Sequence, residues 1–393
     1  MNYPTKKLGE VCGVVGGGTP STKVSEYWGN KYHWVTPKDL GQLKSVEISQ
    51  TNKQITDSGL RDSSAKLLPA GSVILSSRAP IGYVAINTVP MATNQGCRSF
   101  VCGPKVFNKY LYYFLIASHD YLQTLGGGST FLEVSGSRLK EIEIRVPPIR
   151  EQGKIVAKIE RQFAKMDEAA RLRAESEALA EKLLPAALHE IFSSHNWDLV
   201  SLSDVVTSFQ YGSSKKASDI GEVVCVRMGN LQSGEIDWTN LKYAPDNEEL
   251  EKFFLRDGDV LFNRTNSPEL VGKTAIYRGD RPAIFAGYLI RINYVRDKVL
   301  GQYLNYCLNS DFAKDFCQRV KTDGVSQSNI NAQKLATFTF PLPPLTEQKK
   351  IVKKLDALAE KVKALRELQA AQAADLKALK QSILHQAFSG DGK

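Results

Sequence analysis

One stretch of this chain is written twice, and that duplication limits the architectures open to it. Pro147-Pro148-Ile149-Arg150-Glu151-Gln152 returns 196 residues later as Pro343-Pro344-Leu345-Thr346-Glu347-Gln348. The same offset pairs Lys154-Ile155-Val156 with Lys350-Ile351-Val352, Leu188-His189 with Leu384-His385, and Phe192-Ser193 with Phe388-Ser389. Residues 147–193 match 343–389 at 17 of 47 positions without a gap, which marks a duplication. Upstream the match is looser. Leu8-Gly9-Glu10-Val11 resembles Leu202-Ser203-Asp204-Val205, and Leu68 to Val73 resembles Leu255 to Val260. The chain therefore divides into a globular segment 1–146, a helix within 147–195, a second globular segment 196–342 and a second helix within 343–393.

The repeated segments carry helical spacing. Proline cannot continue a strand ladder, and it restricts the residue before it, so each Pro-Pro pair closes a strand and opens a helix. Apolar residues then recur every three or four positions: Ile155, Ile159, Met166, Ala169, Ala180 and Leu183 in the first copy. The second copy has Ile351, Leu355, Leu358, Val362, Leu365, Leu376, Leu379 and Ile383. A seam this narrow with charged flanks is a coiled-coil pattern. It turns polar at Ser176 and Gln372, and Pro185 should bend or end the first helix. Two coverings are open: each helix on its own globular half, or the two helices on each other. The second fits two near-identical helices better. It gives one chain an antiparallel helix pair, a pseudo-two-fold axis and a globular half at each end. Residues 149–184 would make a rod of roughly 54 Å.

The globular halves read as mixed α/β (α+β) with many short strands. Val73–Ser76 and Asp259–Phe262 follow Gly turns, and Glu141–Val146 and Thr337–Phe340 alternate polar with apolar. Lys109–Ser118 and Gln302–Ser310 place aromatics at helical spacing, as core helices do. At 42% hydrophobic and 24% charged residues, the 393-residue chain is no disordered polymer. It has no apolar run of transmembrane length, and Glu10 interrupts the apolar run after Lys6 and Lys7, so neither a secretory leader nor a membrane partner is expected. Its six cysteines form no CxxC pair and read as free thiols of a reducing cytoplasm. The net charge of +9 favours a polyanionic partner, and +6 of it falls within residues 1–146.

Catalytic patterns are wanting. Gly272-Lys273-Thr274 has Ser267 where a phosphate loop needs glycine, and a strand rather than a helix should follow. Gly16-Gly17-Gly18 and Gly126-Gly127-Gly128 lack dinucleotide spacing and read as flexible turns. His189 and His385 read as helix-end packing groups. No metal or cofactor site is expected in this chain. What remains is a set of polar, Gly-flanked loops whose side chains can bridge phosphates and read base edges. In the first half the candidates are Thr19, Ser21, Lys23, Thr36, Lys38, Arg78, Asn94, Gln95, Arg98 and Thr130. In the second they are Tyr211, Ser213, Lys215, Lys216, Arg227, Asn263, Arg264, Asn266, Gln327 and Asn329.

Several of these motifs, in this order, resemble the specificity subunits of type I restriction-modification systems. They are Gly18-Thr19-Pro20-Ser21, Trp34-Val35-Thr36 with Asp39-Leu40, Pro69-Ala70-Gly71, Asn94-Gln95 and both Pro-Pro-x-x-Glu-Gln helices. Arg227 to Leu231, Gly258 to Phe262 and Ser326 to Ile330 continue the pattern in the second half. The resemblance implies two target-recognition domains, each reading one half of a split, asymmetric site in double-stranded DNA, with the helices as spacer. It also implies two modification subunits that bind S-adenosylmethionine, and motor-nuclease subunits that use ATP and magnesium. The chain itself would then be non-catalytic. A DNA-modifying enzyme acting alone and a coiled-coil adaptor without a DNA role are the competing readings.

Overall fold

The computed structural model describes residues 3–78, 80–126, 133–193, 197–245 and 248–389. The chain divides into two compact units. One comprises residues 1–172 with 370–393, the other 173–369, so each contains a stretch of both long helices.

In the first unit a five-stranded sheet runs in the order Cys12–Gly16, Cys97–Cys102, Val73–Ser76, Val84–Asn87, Glu47–Ile48. A four-stranded sheet of Trp28–Gly29, Gln54–Ile55, Tyr32–Val35 and Met91–Thr93 accompanies it. Thr5–Lys7 pairs with Glu143–Arg145, whose one inward residue, Ile144, is buried as the alternation requires. The second unit repeats the plan with a six-stranded sheet centred on Val260–Asn263 and Thr274–Ile276. Leu199–Ser201 pairs with Thr339–Pro341 at the equivalent place. The aromatic-rich segments form helices Asn108–Ala117 and Gly301–Leu308, and Tyr110 and Tyr303 are almost fully buried. Their hydroxyls donate to Arg145 O at 3.0 Å and Pro341 O at 2.7 Å, which ties each helix to the strand leading into a Pro-Pro pair.

The long helices are Ile149–Ser193 and Leu345–Ser389, 45 residues each. Each begins on the same three-bond anchor. Gln152 is wholly buried; its Oε1 accepts from Phe107 N–H at 2.8 Å, and its Nε2 donates to Lys105 O at 2.8 Å and Pro147 O at 2.7 Å. Gln348 does the same with Leu300 N–H at 2.9 Å, Lys298 O at 2.9 Å and Pro343 O at 2.8 Å. An amide with both donors and its acceptor engaged is the one side-chain type that fits this hole, since a carboxylate donates nothing.

Within each unit the two long helices lie against each other. In the first, Lys380 pairs with Asp167 at 2.6 Å and covers the Phe163 ring, and Val156, Ile159 and Met166 share a core with Ile383 and Leu384. In the second, Gln369 donates to the Ser176 hydroxyl at 3.1 Å, while Arg366 reaches Glu181 further along one helix and earlier on the other. That opposed order is antiparallel. Leu188 and Ile191 join Ile351 and Leu355 in the core of the same unit.

The seam differs from the sequence reading by one residue in places. The buried positions are Val156, Ile159, Met166, Ala180, Leu188 and Ile191 on one helix and Ile351, Leu355, Val362, Ile383 and Leu384 on the other. Ile155, Leu358, Leu365 and Leu376 are half-buried beside it. Leu183 and Leu379 lie outside it at 47% and 50% exposure, because a residue one position from the stripe is turned about 100° away. The equivalent Leu172 and Leu368 are exposed to the same degree, 52% and 56%. The polar seam residue is Gln369, buried, and not the exposed Gln372. The first helix also continues eight residues past Pro185. Burial of Leu188 and Ile191 beyond it offsets the hydrogen bond lost at the Glu181 carbonyl.

Two substitutions test this arrangement. Gln152→Ala strands the part-buried Phe107 N–H and Lys105 carbonyl and the buried Pro147 carbonyl, and should lower unfolding free energy by roughly 2–4 kcal/mol in urea titrations. Leu355→Asp, at a fully buried site, should cost more than 3 kcal/mol, whereas Leu379→Asp should leave the midpoint nearly unchanged.

Candidate nucleic-acid interface

Three loops meet at one edge of the first globular half. After Cys12–Gly16 the chain passes through Gly17 and Gly18 with no room for side chains. A Cβ on Gly17 would fall 1.9 Å from Asn94 O, and one on Gly18 would fall 2.3 Å from Ser64 and Ala65. The triple glycine is thus a close-packed crossing and not a flexible turn. Gly18 N–H donates to Thr93 O at 2.8 Å, and Trp34 Nε1 donates to Gly18 O at 2.9 Å. This clamp sets Thr19 beside the loop 94–96, where its hydroxyl meets Gln95 Oε1. Ser21 and Lys23 follow, both exposed. Asn94 turns its Oδ1 onto Gly96 N–H at 2.9 Å, so the side chain shapes the loop.

Two arginines share one carboxylate here. Arg78 Nε and Nη2 reach Glu133 Oε2 at 3.2 and 2.7 Å, and Arg98 Nη2 reaches Oε1 at 3.0 Å. Arg98 also gives Nη1 to Gln95 O at 3.0 Å and Cys97 O at 3.1 Å. Two positive groups against one negative leave the cluster cationic. Glu133 was missing from the sequence reading, since partners 55 and 35 residues away leave no local pattern. Thr36 adjoins these loops, but its hydroxyl is committed to a capping box with Asp39 that starts helix Pro37–Gln42. It shapes the backbone instead of presenting a donor outward. Lys38 on that helix is exposed. Thr130 lies outside the described residues.

The second half builds the same edge from different side chains. Gly212 and Gly287 carry the close crossing: a Cβ on Gly212 would fall 2.3 Å from Ala286 O, and Gly287 N–H donates to Ser213 O at 2.7 Å. Ser213 is buried in that turn, with Lys215 and Lys216 exposed beyond it. The Arg264 guanidinium lies 4.9 Å from the Tyr211 ring centroid, a cation–π contact that leaves its charge available. Asn329 Nδ2 donates to Thr265 Oγ1 at 2.7 Å. Asn266 bonds the next backbone N–H at 2.8 Å. Asn263 is wholly buried beneath this edge, so it supports the strand end and has no route to a ligand. Arg227 donates to Asn240 O at 2.7 Å, and its N–H is capped by Asn230, as Thr36 is by Asp39 in the first half. Gln327 is exposed on the 322–329 turn beside Val325, an apolar residue fully open to solvent. Asp323 in that turn is held below the usual carboxylate range by hydrogen bonds from Ser328 and then Lys321. It therefore keeps its charge, and its two partners, across the physiological range.

Burial pushes the thiols of Cys97, Cys225 and Cys317 up to about 12, 11 and 12, so none is a thiolate nucleophile. His189 and His385 are exposed on the helices and not packed at their ends. Among the described residues no group of three or more His, Cys, Asp or Glu could hold a metal ion.

Two similar α+β halves, each with a polar loop edge and a stretch of both long helices, define a duplicated-domain protein. The model of the type I restriction modification DNA specificity domain matches residues 2–175 and again 194–371. The chain belongs to that family and carries the domain twice. It is 44% identical over 156 residues to the MjaIX specificity subunit of Methanocaldococcus jannaschii, covering 39% of this chain and 36% of that relative. The chain thus matches only about a third of the length of this curated relative. The StySPI specificity subunit of Salmonella potsdam is 24% identical over 373 residues, 89% of this chain and 80% of that one. A solved chain from a type I restriction-modification system superposes with a TM-score of 0.76 at 23% identity, covering all of both chains.

The glycine crossing gives a direct test. Gly17→Val should open the loops 17–23 and 93–96, seen as faster limited proteolysis there, while Gly153→Val, in open space on a helix, should not.

Proposed function

We propose that this chain reads DNA sequence for a type I restriction-modification assembly. Each half reads one part of a split, asymmetric target in double-stranded DNA. The paired helices set the spacing between the parts and offer two alike docking surfaces for two modification subunits. Those subunits would bring S-adenosylmethionine and methylate the DNA, and restriction subunits would bring ATP and magnesium. The chain itself takes no catalytic step and works in the cytoplasm. No helix among the described residues is long and apolar enough to cross a membrane.

One observation carries this reading: the same loop edge is built twice on the same backbone plan, with different side chains. A common scaffold with unlike donors at equivalent places is what two unlike half-sites require. Arginine forks match guanine and side-chain amides match adenine, while exposed Lys23, Lys38 and Lys216 suit phosphates. A helix of 45 residues, about 68 Å at about 1.5 Å per residue, covers roughly 20 base pairs at about 3.4 Å each, enough to separate two reading sites along a duplex.

The decisive experiment is a methylome of cells expressing this chain with its modification subunits. Methylation confined to a two-part motif is the expected result. Methylation without a motif, or by the chain alone, would sink the proposal. Arg264→Ala should relax the motif in one half only. Lys23→Ala should weaken binding evenly over all sequences and reduce the salt slope of log K by about 1.

A further inference from the structure

The two halves can be aligned at their loop edges through backbone contacts alone. Arg78 faces Glu133 across an antiparallel bridge, and Val134 N–H donates to Ser77 O at 2.8 Å. In the second half Thr265 faces Asn329, and Ile330 N–H donates to Arg264 O at 2.8 Å. Val134 and Ile330 are both fully buried, and each is followed by a side chain, Ser135 or Asn331, that caps a short helix. Arg78–Glu133 therefore stands where Thr265–Asn329 stands. One half holds an ion pair at this place and the other a neutral hydrogen bond.

We propose that Glu133 is a specificity-determining positioning residue. It fixes the Arg78 guanidinium in one orientation toward a base edge of the half-site read by the first domain, with Arg98 as its post. This inference rests on the DNA-reading role proposed above.

The donor inventory supports that division of labour. Three of the five N–H donors of Arg98 are spent inside the protein, and its side chain is only 19% exposed. It anchors Glu133 and is poorly placed to read. Glu133 then grips Arg78 side-on through Nε and Nη2. That grip fixes the guanidinium plane and, among the described residues, leaves the outer edge, with one hydrogen on each terminal nitrogen, unspent. Such an edge is the two-pronged donor that guanine O6 and N7 accept. The Arg78 side chain is 42% exposed, so the edge is reachable. A guanidinium already held loses less freedom on binding, and a wrong base cannot recruit it by letting it swing. The carboxylate also cancels one positive charge beside the phosphates. Its removal should therefore raise affinity for unrelated DNA while lowering discrimination, a pair of effects that damage to the fold would not produce.

The test uses the full chain assembled with its modification subunits, and duplexes of the methylome-derived target carrying single base-pair changes. Glu133→Gln should tighten binding to unrelated duplex and cut discrimination at one base pair of one half-site by about tenfold or more. Discrimination in the other half-site should stay unchanged. Arg78→Lys, which keeps the charge and loses the fork, should lose discrimination at the same base pair, and the double variant should be no worse than either single one. If Arg78→Lys changes discrimination and Glu133→Gln changes it nowhere, Glu133 positions nothing and the inference fails. If Glu133→Gln weakens both half-sites equally, the residue is merely structural and the inference also fails. If neither these variants nor Arg78→Ala alters affinity or discrimination, the DNA-reading role of this edge is itself wrong. Glu133→Asp, with the charge kept and the reach shortened, should give an intermediate loss at the same base pair. Thermal melting of each variant separates these effects from unfolding.

Discussion

Each globular half is joined to its long helix by one buried amide. Gln152 and Gln348 spend both donors and the acceptor on three backbone groups, at distances that agree between copies to about 0.1 Å. Buried and fully paired, such a group is costly to disturb, since any other side chain leaves several orphans. The Pro-Pro pair before it ends the strand and supplies one of the acceptors. The tyrosine bonds to Arg145 O and Pro341 O brace the same junction from the core side. The direction in which each helix leaves its domain is thereby set by local chemistry.

On that fixed junction the loop edges are free to differ. The close glycine crossings, the capping boxes at Thr36 and Arg227, and the bridges at Arg78 and Thr265 recur in both halves, because they position backbone. The side chains they present do not recur. An arginine pair on a carboxylate in one half answers to an arginine on a tyrosine ring and an Asn–Thr bond in the other. Scaffold and presented side chains are thus separate within one small domain.

Much of this was legible from residues. The duplication showed itself in identities, and the strands at Val73 and Val260 in apolar runs after glycine. The strand Thr274–Ile276 after Gly272-Lys273 declared itself by Ala275-Ile276. The phase of the helix seam was harder. Ile155, Leu183 and Leu379 are as apolar as their buried neighbours, and only the partner helix decides which of two adjacent residues faces inward. Pro185 does not end its helix, because Leu188 and Ile191 beyond it are buried, and that packing is invisible to propensity. The loops were legible as a set but not singly. Thr36 and Asn263 are polar for internal reasons, and Glu133 acts through contacts that sequence distance conceals.

The exposed leucines deserve a last thought. Leu172 and Leu368, and Leu183 and Leu379, are the same residue at corresponding places, with nearly the same area open to water. Duplication has been kept on the outside of the helices as well as within the seam. The flanks of each pair do differ: Arg171 and Arg173 stand beside Leu172, where Glu367 and Gln369 stand beside Leu368. A ligand that needs only the leucines would therefore count the two places alike, whereas one that feels the neighbouring charge would fill one of them first.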